Sequence, residues 1–327
     1  MNNFFYTIFW PLEWLISWIM WCFHKLFVLC GMPDGPGFAW VLSIIFLTLF
    51  VRACIFPLYT KQMRSMASMQ AMQPKLQKIR NKYKGKRDPA SQEAMQRETM
   101  ALYKENGANP MGSCLPIIVQ APVFLALYNV LYSLSRIATG AASPIGGFSR
   151  SIARQIEDTV FINVKLSALF NATTGTGKWT IGIFVALMCL TMFYMTFFNM
   201  QHNTPREQMT GKNRKTQWGM AVGMPLLYIF SGAVAPFGVL VYWLTSNVWS
   251  ILQTMYQVHR YPTPGSPAYE KKEEREHARE VARREREGLP TLEEEELAKA
   301  QEEIASRSQR GFQRQQPVRR KSKKKGK

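Results

Sequence analysis

The sequence predicts an all-α, polytopic membrane protein: a five-helix transmembrane core with a cytoplasmic helical hairpin, preceded by an N-terminal interfacial helix. Three observations predict it. The first is the grouping of apolar residues. Mean hydropathy is only −0.15, but that average combines apolar blocks before position 259 with an almost wholly polar tail after it. The second is the length of those blocks, several of which reach the about 20 residues that a spanning helix needs. The third is the placement of the net charge of +19, which differs sharply from one connection to the next.

The chain divides into 1–37, an interfacial helix and a break; 38–258, the membrane core; and 259–327, a basic, mostly disordered tail with some helix at about 270–305. Residues 4–30 are apolar and rich in tryptophan, with Trp14, Trp18 and Trp21 at helical spacing and Pro11 suited to a first turn. Tryptophan favours the membrane–water boundary, and Glu13, His24 and Lys25 interrupt the run. A helix lying in the interface is therefore expected; the alternative is a sixth spanning helix. No basic region precedes this run, which argues against a cleaved secretory signal. Leu29 before Cys30 argues against a lipoprotein cleavage site.

The spans are expected at about 38–59, 113–135, 179–199, 217–235 and 237–258. Pro57 should kink the first. Between the first two lies a polar hairpin, 60–112. Met63, Met66, Met69, Met72, Leu76, Ile79 and Tyr83 form one helical stripe there. Lys84-Gly85 ends it, and Asp88-Pro89 opens a second helix as cap and first-turn proline. Residues 137–178 form a Gly/Ser/Thr-rich external loop. Its Gly175-Thr176-Gly177-Lys178 is no phosphate loop, because Ala172 and Trp179 occupy the required Gly and Ser/Thr positions. The stretch 217–258 carries no charge and fits two helices; Gly219 and Gly223 in the first of them should allow close packing on a neighbour.

Charge sets the orientation. The connections 60–112 and 200–216 and the tail hold 11, 4 and 19 Lys and Arg, whereas 137–178 holds 4 despite its length. The positive-inside rule makes the first three cytoplasmic. Five spans then put the N-terminus outside and the C-terminus in the cytoplasm, in a multi-pass protein of the cell membrane. The tail ends RRKSKKKGK, which suits electrostatic binding to anionic lipid or ribosomal RNA.

Chemistry is sparse. The five cysteines sit in or beside apolar runs without a CxxC pair, and read as small buried side chains. The four histidines are scattered, so no metal site is expected, and neither a cofactor nor an enzymatic constellation is visible. What stands out is Arg52 inside the first span, with no Asp or Glu in any other expected span. A charge at mid-bilayer costs at least about 2.5–3.5 kcal/mol, so Arg52 is expected to face a wet or polar cavity. Gln120, Tyr242, Ser246, Asn247, Ser250 and Gln253 are either interhelical glue or, with Arg52, the lining of a polar groove. The methionine stripe is either the seam of the hairpin or an adaptable surface for varied apolar partners.

The runs FVRACIFPLYTKQMRS, MQAMQPKLQKIRNKYKGK and LYKENGANPMGSCLPIIVQAPVFLALYNVL resemble the YidC-type membrane protein insertases in their short form, without a large periplasmic domain, over about residues 8–258. The resemblance implies a five-helix core, N-terminus out, with a hydrophilic groove open to cytoplasm and lipid. It maps the family's groove arginine onto Arg52, a second-span polar position onto Gln120, and the fifth-span groove region onto Trp243, Ser246 and Asn247 in YWLTSN. The insertion hairpin maps onto 61–107; on the adaptable-surface reading of the stripe, Met66, Met69, Met72 and Leu76 are its contact residues. The implied partners are nascent membrane protein clients, the Sec translocon, the ribosome and the bilayer, with insertion occurring alone or with Sec. A small-molecule anion transporter is the rival reading, though no repeated halves are visible. A ribosome-tethering scaffold is a third.

Overall fold

The computed structural model describes residues 2–107 and 115–309 and is almost entirely helical. Helix α1 (Asn2–Leu29) is followed by a turn and α2 (Phe38–Ala71), and the hairpin helices are α3 (Gln73–Lys82) and α4 (Pro89–Glu105). Then come α5 (Leu115–Thr139), the short α6 (Arg150–Glu157), strands β1 (Val160–Phe161) and β2 (Val164–Lys165), α7 (Thr176–Asn203), α8 (Gly211–Val234) and α9 (Phe237–Arg260). Two helices of the tail complete the description, α10 (Pro267–Glu287) and α11 (Leu292–Gln309).

Helix α1 covers the stretch for which an interfacial helix, or alternatively a sixth spanning helix, is expected. Its 28 residues span about 42 Å, and Phe9–Leu29 is one of four described stretches long and apolar enough to cross a membrane. Phe23 packs on Phe46 and Phe50, and Phe27 on Phe46, so α1 runs antiparallel along α2. Ile16, 2% exposed, reaches the same small cavity as Thr48 and Arg52. At its far end His24 is buried and stacked on Trp40, with ring centroids 3.8 Å apart. Asp34 in the turn faces His24 Nε2 at 3.2 Å and accepts from Lys25 Nζ at 2.8 Å. Those two bonds, Lys25 first, hold the Asp34 carboxyl below its ordinary range.

Helix α2 continues through Pro57 to Ala71. The helix breaks at Met72, because Pro74 lacks an N–H and fits the first turn of α3. The methionine stripe is thus split between two helices rather than lying on one. The rest of the hairpin is as the sequence indicates. Asp88 caps α4 by accepting from the Ser91 amide at 2.8 Å, and Gly107, at φ +61°, ends it.

The connection after α5 is structured where a simple loop was expected. Ser149 caps α6, whose Ala153 and Ile156 are buried on the side packed against α5. Ile162 and Asn163 both take positive φ and close a two-residue hairpin pairing Val160 with Lys165. This hairpin seats α9: the Phe237 and Gly238 amides donate to the Ala168 and Leu166 carbonyls at 2.9 and 2.8 Å. Two otherwise unpaired first-turn N–H groups are thereby satisfied. Trp40, Phe148 and Phe237 are fully buried in the core that results.

The same connection locks onto α1 at Gly146, which has φ +50°. A Cβ added there would overlap Ser17 Oγ and come within 2.7 Å of the Trp14 carbonyl. The neighbouring Gly147 amide donates to Ser17 Oγ at 3.1 Å. Gly146→Ala combines a disfavoured backbone with a clash and should cost about 1–3 kcal/mol. The expected result is a lowered melting temperature in detergent, with Gly147→Ala, at ordinary φ and 3.2 Å from Trp21 Cβ, affected less.

Two further expectations change. A Cβ at Gly219 or Gly223 would meet nothing within 4 Å, so that pair makes no close approach; the tight crossing of α8 is at Gly232, where a Cβ would lie 2.5 Å from Val185 Cγ2. Cys22, Cys30 and Cys54 are exposed on the outer faces of their elements rather than buried, and Cys189 is half-buried; in a spanning protein an outward face meets lipid, so an apolar side chain needs no core. In the tail, α10 and α11 cover the stretch of about 270–305 where some helix is expected. Thr291 and Glu294 form a reciprocal capping box at the start of α11. Arg284 and Lys299 both pair with Glu295, whose carboxyl is pushed down to about 2, Lys299 contributing most.

Candidate functional site

Arg52 lies on α2, half-buried, facing α9. Its guanidinium donates through both Nε, at 3.1 Å, and Nη2 to Ser246 Oγ, and sits 5.8 Å from the Tyr59 ring centroid. Ser246 is buried and is brought to this depth because Tyr242, Ser246, Ser250 and Gln253 recur on one face of α9. One turn above, Gln120 Nε2 of α5 donates to Tyr242 Oη. Three helices therefore converge on one polar cluster, as a lone intramembrane cation requires. Among the described residues no carboxylate lies within ion-pair distance of Arg52, so its charge is met by hydroxyl dipoles and an aromatic face alone.

The cluster borders a cavity of about 10 Å³ lined by Arg52, Gln120, Tyr242, Thr48 and apolar neighbours including Ile16. Among the described residues, Gln120 Oε1 is buried without a partner. A buried carbonyl oxygen without a donor costs about 1–3 kcal/mol, and a cavity of about 10–15 Å³ is the least that holds one water.

The other expected groove residues separate. Asn247 points away from Arg52 and bridges to α7, donating to Thr191 Oγ1 at 3.1 Å and to the Met188 carbonyl at 3.3 Å. It is interhelical glue. Trp243 stacks on Phe124 of α5 at 5.2 Å and meets Tyr228 of α8 edge-on at 5.6 Å, forming an aromatic wall beside the cluster. Gln253 accepts from Trp249 Nε1 at 2.9 Å, lower on α9. The sequence alone did not single out Tyr59, whose ring lies 5.8 Å from the Arg52 guanidinium. Sequence reasoning also passed over Glu13, although the residue was visible as an interruption of the first apolar run. Glu13 is 2% exposed and accepts from Asn129 Nδ2 at 3.1 Å. It is a buried carboxylate on the α1 face that packs against α5, paired with an amide and not with Arg52.

In the hairpin Met72 and Leu76 are buried and Met69 is half-buried; the Met66 side chain lies outside the described residues. Met72 and Leu76 therefore belong to the seam of the hairpin rather than to an open contact surface, because a small two-helix unit has few other apolar groups to bury. The hairpin is also crosslinked by charge. Lys82 Nζ and Tyr83 Oη both donate to Glu98 Oε1, the latter at 2.9 Å. These bonds, Lys82 first, hold the Glu98 carboxyl below its ordinary range. A depressed carboxyl stabilises above its unfolded-state value and loses that contribution as pH falls through the folded one. Acidification below the ordinary glutamate range is thus expected to loosen the contact of α3 with α4. A spin-label distance between the two helices should broaden at acidic pH in wild type and at neutral pH in Glu98→Gln.

The comparisons agree on one family. The family model of the 60Kd inner membrane protein matches residues 33–263. A membrane protein insertase YidC of Bifidobacterium longum is 49% identical over 323 residues, covering 98% of this chain and 96% of that protein. One of Tropheryma whipplei is 33% identical over 282 residues, covering 84% and 90%. A solved YidC insertase crystal structure with its first transmembrane domain resolved is 24% identical, with a TM-score of 0.45, over 78% of this chain and 47% of that one. A family match across most of the chain, spanning α2 to α9 and with it the Arg52 cluster, makes this chain a member of the 60Kd inner membrane protein family, the family of the YidC insertases.

Proposed function

We propose that this chain is a membrane protein insertase that brings the polar end of a client into the bilayer at the Arg52 cluster. The observation that carries this is an intramembrane guanidinium whose described partners are only a serine hydroxyl and a tyrosine face. An incoming carboxylate is a better partner for a guanidinium than either, so an acidic client segment can displace Ser246 without leaving a charge unmet. The client's apolar segment would pass into lipid alongside α7 and α9. The anion-transporter reading has no support among the relatives, which are named insertases.

The chain acts on this reading without bond chemistry of its own. Clients are nascent membrane proteins; the Sec translocon and the ribosome are proposed partners, the latter through the basic hairpin and tail. Hairpin and tail face the cytoplasm by the charge asymmetry. The packing of α1 along α2 and the length of Phe9–Leu29 favour an inserted α1 over the interfacial one. They therefore support six spans, with the N-terminus on the same side as the tail.

Purified protein in liposomes free of Sec components tests the activity. Insertion of a single-span client with an acidic translocated end, read by protease protection, should exceed that into protein-free liposomes; equality would end the proposal. Topology has its own test. In a cysteine-free background, a cysteine at position 3 should react with a membrane-impermeant thiol reagent from the hairpin side, and one at Asp34 only from the opposite side. Reaction of both from one side would restore the interfacial helix.

A further inference from the structure

We propose that the cleft between α7 and α8 is a binding site for an anionic glycerophospholipid, with an acyl chain between the helices and the lipid phosphate at Lys178. The two helices touch where Gly232 meets Val185, where Cys189 meets Pro225 and where Phe197 meets Trp218, and beside these contacts they leave a cavity of about 700 Å³. Val185, Ala186 and Cys189 of α7 and Val222, Leu226 and Ile229 of α8 line it. Its nearest polar groups are already paired, Cys189 Sγ donating to the Pro225 carbonyl at 3.2 Å. Gly182 is also at the wall, and a Cβ there would meet nothing within 4 Å.

Size selects the occupant. A 20-residue spanning helix is about 30 Å long and 10–12 Å wide, a cylinder of over about 2,000 Å³, and does not enter this space. The volume lies in the range of small-ligand pockets, and an apolar cleft turned to the bilayer is surrounded by hydrocarbon chains. Charge selects the headgroup. Phe170 closes one end of the cleft, and Lys178 Nζ lies 5.0 Å from its ring centroid. Among the described residues no carboxylate is within ion-pair distance of Lys178. Trp179 beside it is 78% exposed, as suits an aromatic anchor at headgroup level. An apolar slot ending in an unneutralised ammonium complements a lipid that joins hydrocarbon to net negative phosphate; a zwitterionic lipid would bring its own cation to the same point.

The test uses the full-length protein in nanodiscs containing trace phosphatidylglycerol or phosphatidylcholine with a photoreactive group on the acyl chain. Adducts are mapped by mass spectrometry. The phosphatidylglycerol probe should label peptides covering 182–193 and 222–233 in preference to the phosphatidylcholine probe. Lys178→Gln should reduce that preference by about fivefold, the factor one basic residue contributes beside an anionic lipid surface. Gly182→Trp, which fills the cleft from an open position, should abolish both labels there. Equal labelling by the two probes, unchanged by Lys178→Gln, would overturn the proposal, as would labelling that survives Gly182→Trp. A crosslinking client segment that competes with the lipid for these peptides would also overturn it, in favour of a client site. If Gly182→Trp does not fold, Lys178→Gln at the exposed mouth still decides.

Discussion

Arg52→Ala is expected to reduce insertion of a single-span client with an acidic translocated end by about tenfold or more, while Arg52→Lys retains most of it. Each acidic side chain carried to mid-bilayer costs roughly 2.5–3.5 kcal/mol on insertion scales. A fixed cation that offsets half of that for one carboxylate is worth about tenfold. Alanine removes the cation and leaves Ser246 and the open Gln120 oxygen to water. Lysine keeps the charge but not the two-pronged contact with Ser246. The measurement is the same liposome assay with two clients that differ only in having acidic or neutral translocated ends. The effect should fall on the acidic client; equal loss on both would make Arg52 a structural residue, and no loss on either would remove electrostatic capture altogether.

Trp40→Ala is expected to cost about 3–5 kcal/mol, the range for truncating a large buried aromatic. Trp40 is fully buried, stacked face to face on His24 and edge-on to Phe148 at 6.0 Å. It therefore joins α1, the start of α2 and the connection after α5. Its indole N–H has no hydrogen-bond partner among the described residues, so Trp40→Phe removes that donor together with some volume and should be much milder. Thermal unfolding in detergent, followed by loss of monodisperse protein, should separate the two variants clearly. If both melt like wild type, α1 contributes little to the fold. If both collapse, the site demands the full indole shape.

Much of this architecture could be read along the chain. Spanning length, a broken run of polar hairpin residues and the Asp88-Pro89 cap are local properties, and local properties survive into the structure because helices satisfy their own backbone wherever they lie. The Arg52 cluster was partly legible for a related reason: a cation in an apolar run must find polar company, and Ser246 and Gln120 were among the few candidates. Asn247 was not separable from them, since one residue along a helix turns a side chain by about 100°, and only the packing of α9 between α2 and α7 says which neighbour each direction meets. The glycines show the same limit. Gly219 and Gly223 have the spacing of a helix contact, yet the contact is made at Gly232, because the crossing point of two helices is fixed by the rest of the bundle.

By itself the sequence determined the helical class, the basic and non-basic sides, the hairpin and the isolated charge at Arg52. Composition, periodicity and capping act within a few residues, and the cost of a charge in hydrocarbon is the same in any fold. The tertiary structure alone decided that α1 packs along α2 with Ile16 lining the cavity beside Arg52, that Glu13 is buried against Asn129, that the connection after α5 seats the start of α9, and that α7 and α8 leave a cleft between them. Each of these depends on which distant surfaces bury one another, a balance of packing over the whole bundle that no stretch of the chain carries alone.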